Sequence, residues 1–214
     1  MTNHPSNAKK FEILDGDLNE EWSNNLKKAS KLAIDTEAMG LVHGRDRLCL
    51  IQICDEEDQV VCIRIAQEQQ SAPRVQALME NQLIEKVFHY ARFDVAALAS
   101  NLGIKVTPIF CTKVASKLAR TYSPKHGLKE LVMELVGIEL DKNAQSSDWG
   151  NAEELSLSQL SYAANDVRYL LKIRNQLEVM LRREKRWELA NHCFKSINVI
   201  AELDRLKFTH IFDH

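Results

Sequence analysis

The chain has 214 residues, 45% of them hydrophobic and 27% charged, with 7 Gly and 4 Pro, a globular composition whose length suits one domain with a sizeable core rather than two. Its 28 basic and 30 acidic side chains leave a formal charge of -2, which excludes the broad positive field that grips long nucleic acid by its phosphates. A nucleic-acid substrate would therefore be short, or be met by a local patch.

The opening MTNHPSNAKK is polar and is expected to be a flexible tail. It carries no apolar leader, and no run approaches the ~20 apolar residues of a membrane span, which predicts a cytoplasmic protein. Five Cys at 49, 54, 62, 111 and 193 form no C-x-x-C pair and read as buried, reduced thiols. The spacing of the first three fits no common zinc pattern.

In KLAIDTEAMGL, residues 31 to 41, an apolar strand carries two carboxylates, Asp35 and Glu37. Residues two apart on a strand share a face, so these charges stand side by side where the strand enters a core. Leaving them buried and unpaired would cost several kcal/mol each, on the order of the desolvation of an ion. A cation or a proton has to neutralise the pair. Read alone, the same D-x-E also fits a strand end with Glu37 turned to water.

RLCLIQICDEEDQVVCIRI places apolar runs at 47 to 54 and 59 to 65 around an acidic turn, a hairpin signal. Residues 73 to 83 have helical spacing at Val75, Leu78 and Met79, and EKVFHYARFDVAALASNLGI predicts a short strand, 86 to 89, running into a helix that Gly103 stops. Asp94, near that junction, reads by itself as a helix N-cap. Helices are expected at 111 to 120, at 126 to 136, as one long element from 156 to 182, and from 185 to 200. On the long helix Tyr162 and Asp166 are four apart and share a face. They border the apolar stripe Leu160, Ala163, Val167, Leu170 and Leu171. The polar connection 139 to 155 is long enough to suggest a functional loop. An antiparallel start followed by alternating strand and helix predicts the α/β class: a mixed sheet with helices on its faces.

Together the motifs are D-x-E on a first strand, an Asp at a later strand-to-helix junction, and Y-x-x-x-D on a late helix. That set resembles the DEDDy subgroup of the DnaQ-like, ribonuclease-D-type 3′-to-5′ exonucleases, over nearly the whole chain. The resemblance implies a ribonuclease-H-like fold with a mixed five-stranded sheet and a helical C-terminal part. It implies Asp35, Glu37, Asp94 and Asp166 as ligands of two divalent ions, Mg²⁺ or Mn²⁺, hard cations that such oxygens suit. Two ions roughly 4 Å apart can clamp the attacking and leaving oxygens of a phosphodiester. Tyr162 would orient the attacking water, since an ordinary phenol, with a pKa near ~10, is a poor base at neutral pH.

HGRDRLCLIQIC, CTKVASKLARTY, HGLKEL and QSSDW look like the short relatives known as nano-RNase C, which cut dinucleotides to 5′-mononucleotides. By that resemblance Leu41 is a wedge between two bases, with the Met39 backbone near the terminal sugar. His89 and Arg92 would touch phosphate, the Arg as a bidentate donor. A core role is the other reading of Leu41 and His89. Arg120, Lys125, His126 and Lys129 cluster near a helix start at Gly127, a place that attracts anions, and are the candidates for a 5′-phosphate, though each also reads as part of a solvated basic face. Ser146, Ser147, Asp148 and Trp149 precede the catalytic helix, with Trp149 stacking, anchoring the loop or packing a core. The family also implies a homo-oligomer, an octameric ring. Two other functions fit: a broader ribonuclease D-like trimming of RNA 3′ ends, and an inactive nuclease fold used as a binding module. RNA against DNA, and Mg²⁺ against Mn²⁺, stay open.

Overall fold

A computed structural model describes residues 11–42, 44–140, 149–150, 155–208 and 211. Residues 1–10, expected as a tail, and Ser146, Ser147 and Asp148 lie outside this range. The sheet runs in the order β1 (Phe11–Asp15), β4 (Val60–Arg64), β3 (Leu48–Cys54), β2 (Lys31–Ala38), β5 (Glu85–Phe88), β6 (Ile109–Cys111). β2, β3 and β4 pair antiparallel, whereas β1 joins β4, β5 joins β2 and β6 joins β5 in parallel. This is the mixed sheet of the α/β class that the sequence predicts. Among the described residues it has six strands, not the five implied by resemblance. β1 and β6 are not legible in the sequence, because an edge strand of five residues and a strand of three are too short to show a period of two.

β3 is buried at every position, LCLIQIC, as an inner strand covered on both faces must be. The helices are α1 (Glu20–Leu26), α2 (Pro73–Met79), α3 (Arg92–Leu102), α4 (Thr112–Ala119), α5 (Leu128–Val136), α6 (Leu157–Arg168), α7 (Leu170–Arg183) and α8 (Trp187–Arg205). α3 stops where expected, at Gly103 with φ of 66°, a left-handed conformation that glycine adopts without steric penalty. The single long helix of 156 to 182 is instead two, α6 and α7, bent at Tyr169 (φ -100°, ψ -8°). α6 begins in a capping box between Ser156 and Gln159 and packs across β2, β3 and β4. α7 turns away to pack on α4, α5 and β5. The apolar stripe read as continuous therefore serves two surfaces in succession. No helix among the described residues is long and apolar enough to cross a membrane.

Two features place the site. Leu32, Ala33 and Ile34 are fully buried and anchor β2 immediately before Asp35. The β2–β5 ladder ends at Ala33↔Val87, while β2 runs on beside β3 as far as Ala38. The carboxyl end of β2 thus projects past β5 and leaves a crevice, which the β5–α3 turn and α6 close from two sides. Crevices at the carboxyl ends of parallel strands are the usual ligand positions of such sheets.

Candidate active site

Asp35 and Glu37 come from β2, Asp94 from the first turn of α3, and Tyr162 and Asp166 from successive turns of α6. One carboxylate oxygen each from Asp35, Glu37 and Asp166 lies within 4.8 Å of the others, the only such group among the described residues. Asp94 is behind them, 3% exposed. It is not an N-cap: that position is Ala91, and the Asp94 carboxylate instead accepts a hydrogen bond of 2.7 Å from Thr36 Oγ1.

Four carboxyl groups so close cannot all ionise without help. Burial, and then the charges of Asp94, Glu37 and Asp166, hold Asp35 well above the usual carboxylate range. Burial followed by Asp166 and Asp94 pushes Glu37 up to about 8. Burial also raises Asp94 and Asp166 to about 7 each, against the hydrogen bonds from Thr36 and Tyr162 that pull the other way. A cluster of hard oxygens with no ion pair to a basic side chain among the described residues fits Mg²⁺ or Mn²⁺. Tyr162 hydrogen-bonds Asp166, and burial together with that carboxylate drives its phenol further from ionisation. It can orient a water; as a base it is worse than an ordinary tyrosine.

The other residues singled out in sequence are dispersed. His89 lines the same cleft as Asp35, Tyr162 and Asp166. Burial and the neighbouring Lys113 charge depress it to about 3, so it is a neutral imidazole. Its Nδ1 lies 2.9 Å from Thr112 Oγ1, whose own proton goes to the Phe88 carbonyl. Nδ1 is then the donor, and Nε2 is left as an acceptor. Arg92 makes a bidentate ion pair with Asp204 of α8 at 2.5 and 2.8 Å. Leu41 is 79% exposed and Met39 57%, at the tip of the β2–β3 loop, so Leu41 is no core residue. A Cβ at Gly40 would lie 2.3 Å from the Asp46 carboxylate, so any larger residue there would have to displace that side chain. That carboxylate accepts the Val42 N–H and the Arg45 guanidinium, bracing the loop that presents Leu41.

Of the basic cluster, Lys129 and the Gly127–Leu128 start of α5 line the acid cleft. Lys125 is exposed, and His126 bonds Ser116 through Nδ1. Neither is among the residues lining the cleft. Arg120 is fully buried and holds Glu134, Ser116 and the Lys125 carbonyl. Trp149 packs in the core, 5% exposed, and Arg47 bonds the adjoining Gly150 carbonyl at 2.5 Å.

Three contributors escaped sequence reasoning. Lys113 and Tyr90 line the cleft, and Thr36 bonds Asp94. Thr36 stands inside the D-x-E motif and was readable only as a spacer. Lys113 carries no local signal, since its place depends on β6 delivering α4 to the rim. Tyr90 stands beside His89 in FHYARFD, and its place in the cleft follows from the same strand-to-helix turn.

A family model described as 3′-5′ exonuclease matches residues 11–182. The chain is 29% identical to ribonuclease D of Sphingobium indicum over 174 residues, 81% of this chain and 44% of that protein. It spans about two fifths of the length of the curated ribonuclease D relatives it matches. Among solved structures, NrnC of Brucella melitensis superposes with a TM-score of 0.90 at 42% identity, covering 95% of this chain and 98% of that one. The same protein has been solved bound to pGG and with bound Mg²⁺, each with a TM-score of 0.89. Escherichia coli RNase D, at 21% identity and a TM-score of 0.75, shares the fold.

Proposed function

The chain belongs to the 3′-5′ exonuclease family, and on that premise we propose that it hydrolyses very short RNA, dinucleotides above all, to 5′-mononucleotides with two divalent metal ions. The observation that carries the reading is the convergence of Asp35, Glu37 and Asp166 within 4.8 Å, with Asp94 beside them. Those four carboxylates would hold the ions. When bound, the ions lower the pKa of the attacking water and stabilise the departing 3′-oxygen. Tyr162 hydrogen-bonds Asp166 and would orient that water for in-line attack, and His89 Nε2 can accept from a sugar hydroxyl.

In the same cleft Lys113, Lys129 and the start of α5 would hold substrate phosphate, since helix N-termini and ammonium groups both attract it. Lys129 is only loosely engaged by Glu139, 3.7 Å away. The bound pGG of the Brucella relative supports a dinucleotide substrate, and its bound Mg²⁺ supports the metal. The near-zero net charge argues in the same direction, because long RNA would need a larger positive field. Assembly as a homo-oligomeric ring, cytoplasmic in location, belongs to the same proposal.

The test is a length series of 5′-phosphorylated oligoribonucleotides with Mg²⁺, Mn²⁺ and EDTA. Dinucleotides are expected to be cut fastest, and EDTA to stop the reaction. Equal or faster cutting of a seven-mer would leave general RNA trimming as the function.

A further inference from the structure

We infer that Gln52 is a positioning residue for the metal ligands: its side-chain amide donates to the Asp35 carboxylate once that carboxylate holds a divalent ion. The inference rests on the metal-dependent reading above and deepens it. Gln52 interrupts the otherwise apolar strand LCLIQIC and is fully buried. Neither its Nε2 nor its Oε1 has a hydrogen-bond partner among the described residues. Burying an amide unpaired at both ends opposes folding, and native strands rarely carry one without a reason in function.

The strand register says where the amide lies. In the antiparallel β2–β3 pair Gln52 stands directly opposite Asp35. Residues so opposed share one face of the sheet, with Cβ atoms about 4.5–5.5 Å apart, a span that a Gln and an Asp side chain together bridge. On its other side Gln52 faces Cys62 of β4, and a thiol is a weak donor and a weak acceptor. α6 packs across these three strands and buries Leu160, Ala163, Ala164 and Val167, which have no polar side-chain atoms. Its buried Arg168 is engaged by Asp58 in the β3–β4 turn. Asp35 is therefore the strong partner within reach.

Asp35 has the matching gap. Thr36 Oγ1 donates to Asp94 and Tyr162 hydrogen-bonds Asp166, whereas Asp35 has a backbone hydrogen bond from Thr36 and no side-chain donor among the described residues. A carboxylate that binds ions keeps lone pairs turned away from them, and a donor on those lone pairs fixes the direction of the ligand. Gln52 supplies that donor from β3, as Thr36 does from β2 and Tyr162 from α6. A Leu or Met in its place would fill the strand at less cost to the fold and leave Asp35 undirected.

Gln52→Met is the informative variant, since it keeps the length of the side chain and loses the amide. Two quantities are read on the whole chain, neither of which needs substrate or turnover: the melting temperature in EDTA, and the apparent Mn²⁺ dissociation constant from the electron paramagnetic resonance of free Mn²⁺. The variant is expected to melt in EDTA at or above the wild-type temperature, because an unpaired amide is gone. Its Mn²⁺ binding should weaken at least about tenfold, the effect of removing a partner behind a metal ligand, and the rise in melting temperature at a fixed Mn²⁺ concentration should shrink with it. A Gln52 that merely packs would leave the Mn²⁺ affinity within about twofold, and that result overturns the inference. A crystal structure of the wild type with Mn²⁺ decides the matter even if the variant does not fold. Gln52 Nε2 within about 3.2 Å of an Asp35 oxygen supports the role; an amide bonded only to water, or to nothing, overturns it. A wild type that binds no Mn²⁺ would instead overturn the metal-dependent reading beneath.

Discussion

Thr36 Oγ1 donates to Asp94 Oδ1 at 2.7 Å across 58 residues of sequence, and so ties the strand bearing Asp35 and Glu37 to the first turn of α3. The bond occupies one Asp94 oxygen and fixes the direction of the other. Partners of this kind behind a metal ligand are worth about 10- to 100-fold in metal affinity or activity when removed. Thr36→Val keeps the shape and deletes the donor. It should lower the apparent Mg²⁺ affinity by at least about tenfold, read by activity against Mg²⁺ concentration, with saturating metal restoring much of the rate. Unaltered metal dependence would show that the bond does not orient Asp94.

Tyr162→Phe removes the hydroxyl near Asp166 and little else, because the half-buried ring packs against the core. Positioning of a reacting group contributes about 10² or more in rate. We expect kcat to fall at least about 100-fold with KM for the dinucleotide within about threefold. A fall carried by KM alone would make Tyr162 a binding residue.

The acid cluster also makes stability depend on pH and on metal. Glu37 at about 8 and Asp94 and Asp166 at about 7 bind their protons more tightly in the folded chain than in the unfolded one. A group raised in this way contributes stability below its unfolded pKa, near 4 for a carboxyl, and loses it as pH rises through the folded value. Metal-free protein should therefore melt at progressively lower temperature from pH 5 to pH 8.5. Mg²⁺ takes the place of the protons, so its stabilising effect should grow over the same interval. Replacing Asp166 by Asn should flatten both trends. Thermal melts with EDTA or Mg²⁺ at a series of pH values report all three.

Lys86 is buried, with no ion pair among the described residues, and its ammonium donates to the carbonyls of Asn81, Ile84 and Thr107 at 2.5 to 2.7 Å. Burial nevertheless lowers it to about 8. Lys86→Met removes the charge and leaves three carbonyls without that donor, at about 1–3 kcal/mol for each group left unsatisfied. Denaturant unfolding should show a loss of at least about 2 kcal/mol. The kcat of the folded variant should match the wild type, as Lys86 lies on the far half of β5 from the cleft.

The pairing of Asp35 with Glu37, and of Tyr162 with Asp166, is a matter of period: two residues per repeat on a strand, 3.6 per turn on a helix. Those relations are local, so the sequence alone settles them, and with them the α/β class, the β3–β4 hairpin and the Gly103 stop. Other outcomes depend on which surface an element meets. Asp94 reads locally as a cap; in the fold it is a buried carboxylate held by Thr36. The long helix bends at Tyr169 because its two halves cover different surfaces. Tyr90 and Lys113 come together through the β5–α3 turn and a three-residue strand that no pattern betrays. The raised protonation of the four acids is likewise decided only in three dimensions, for it arises from burial and mutual repulsion among β2, α3 and α6. Local periodicity orients side chains, whereas distances between distant segments, and hence their electrostatics, exist only once the chain has packed.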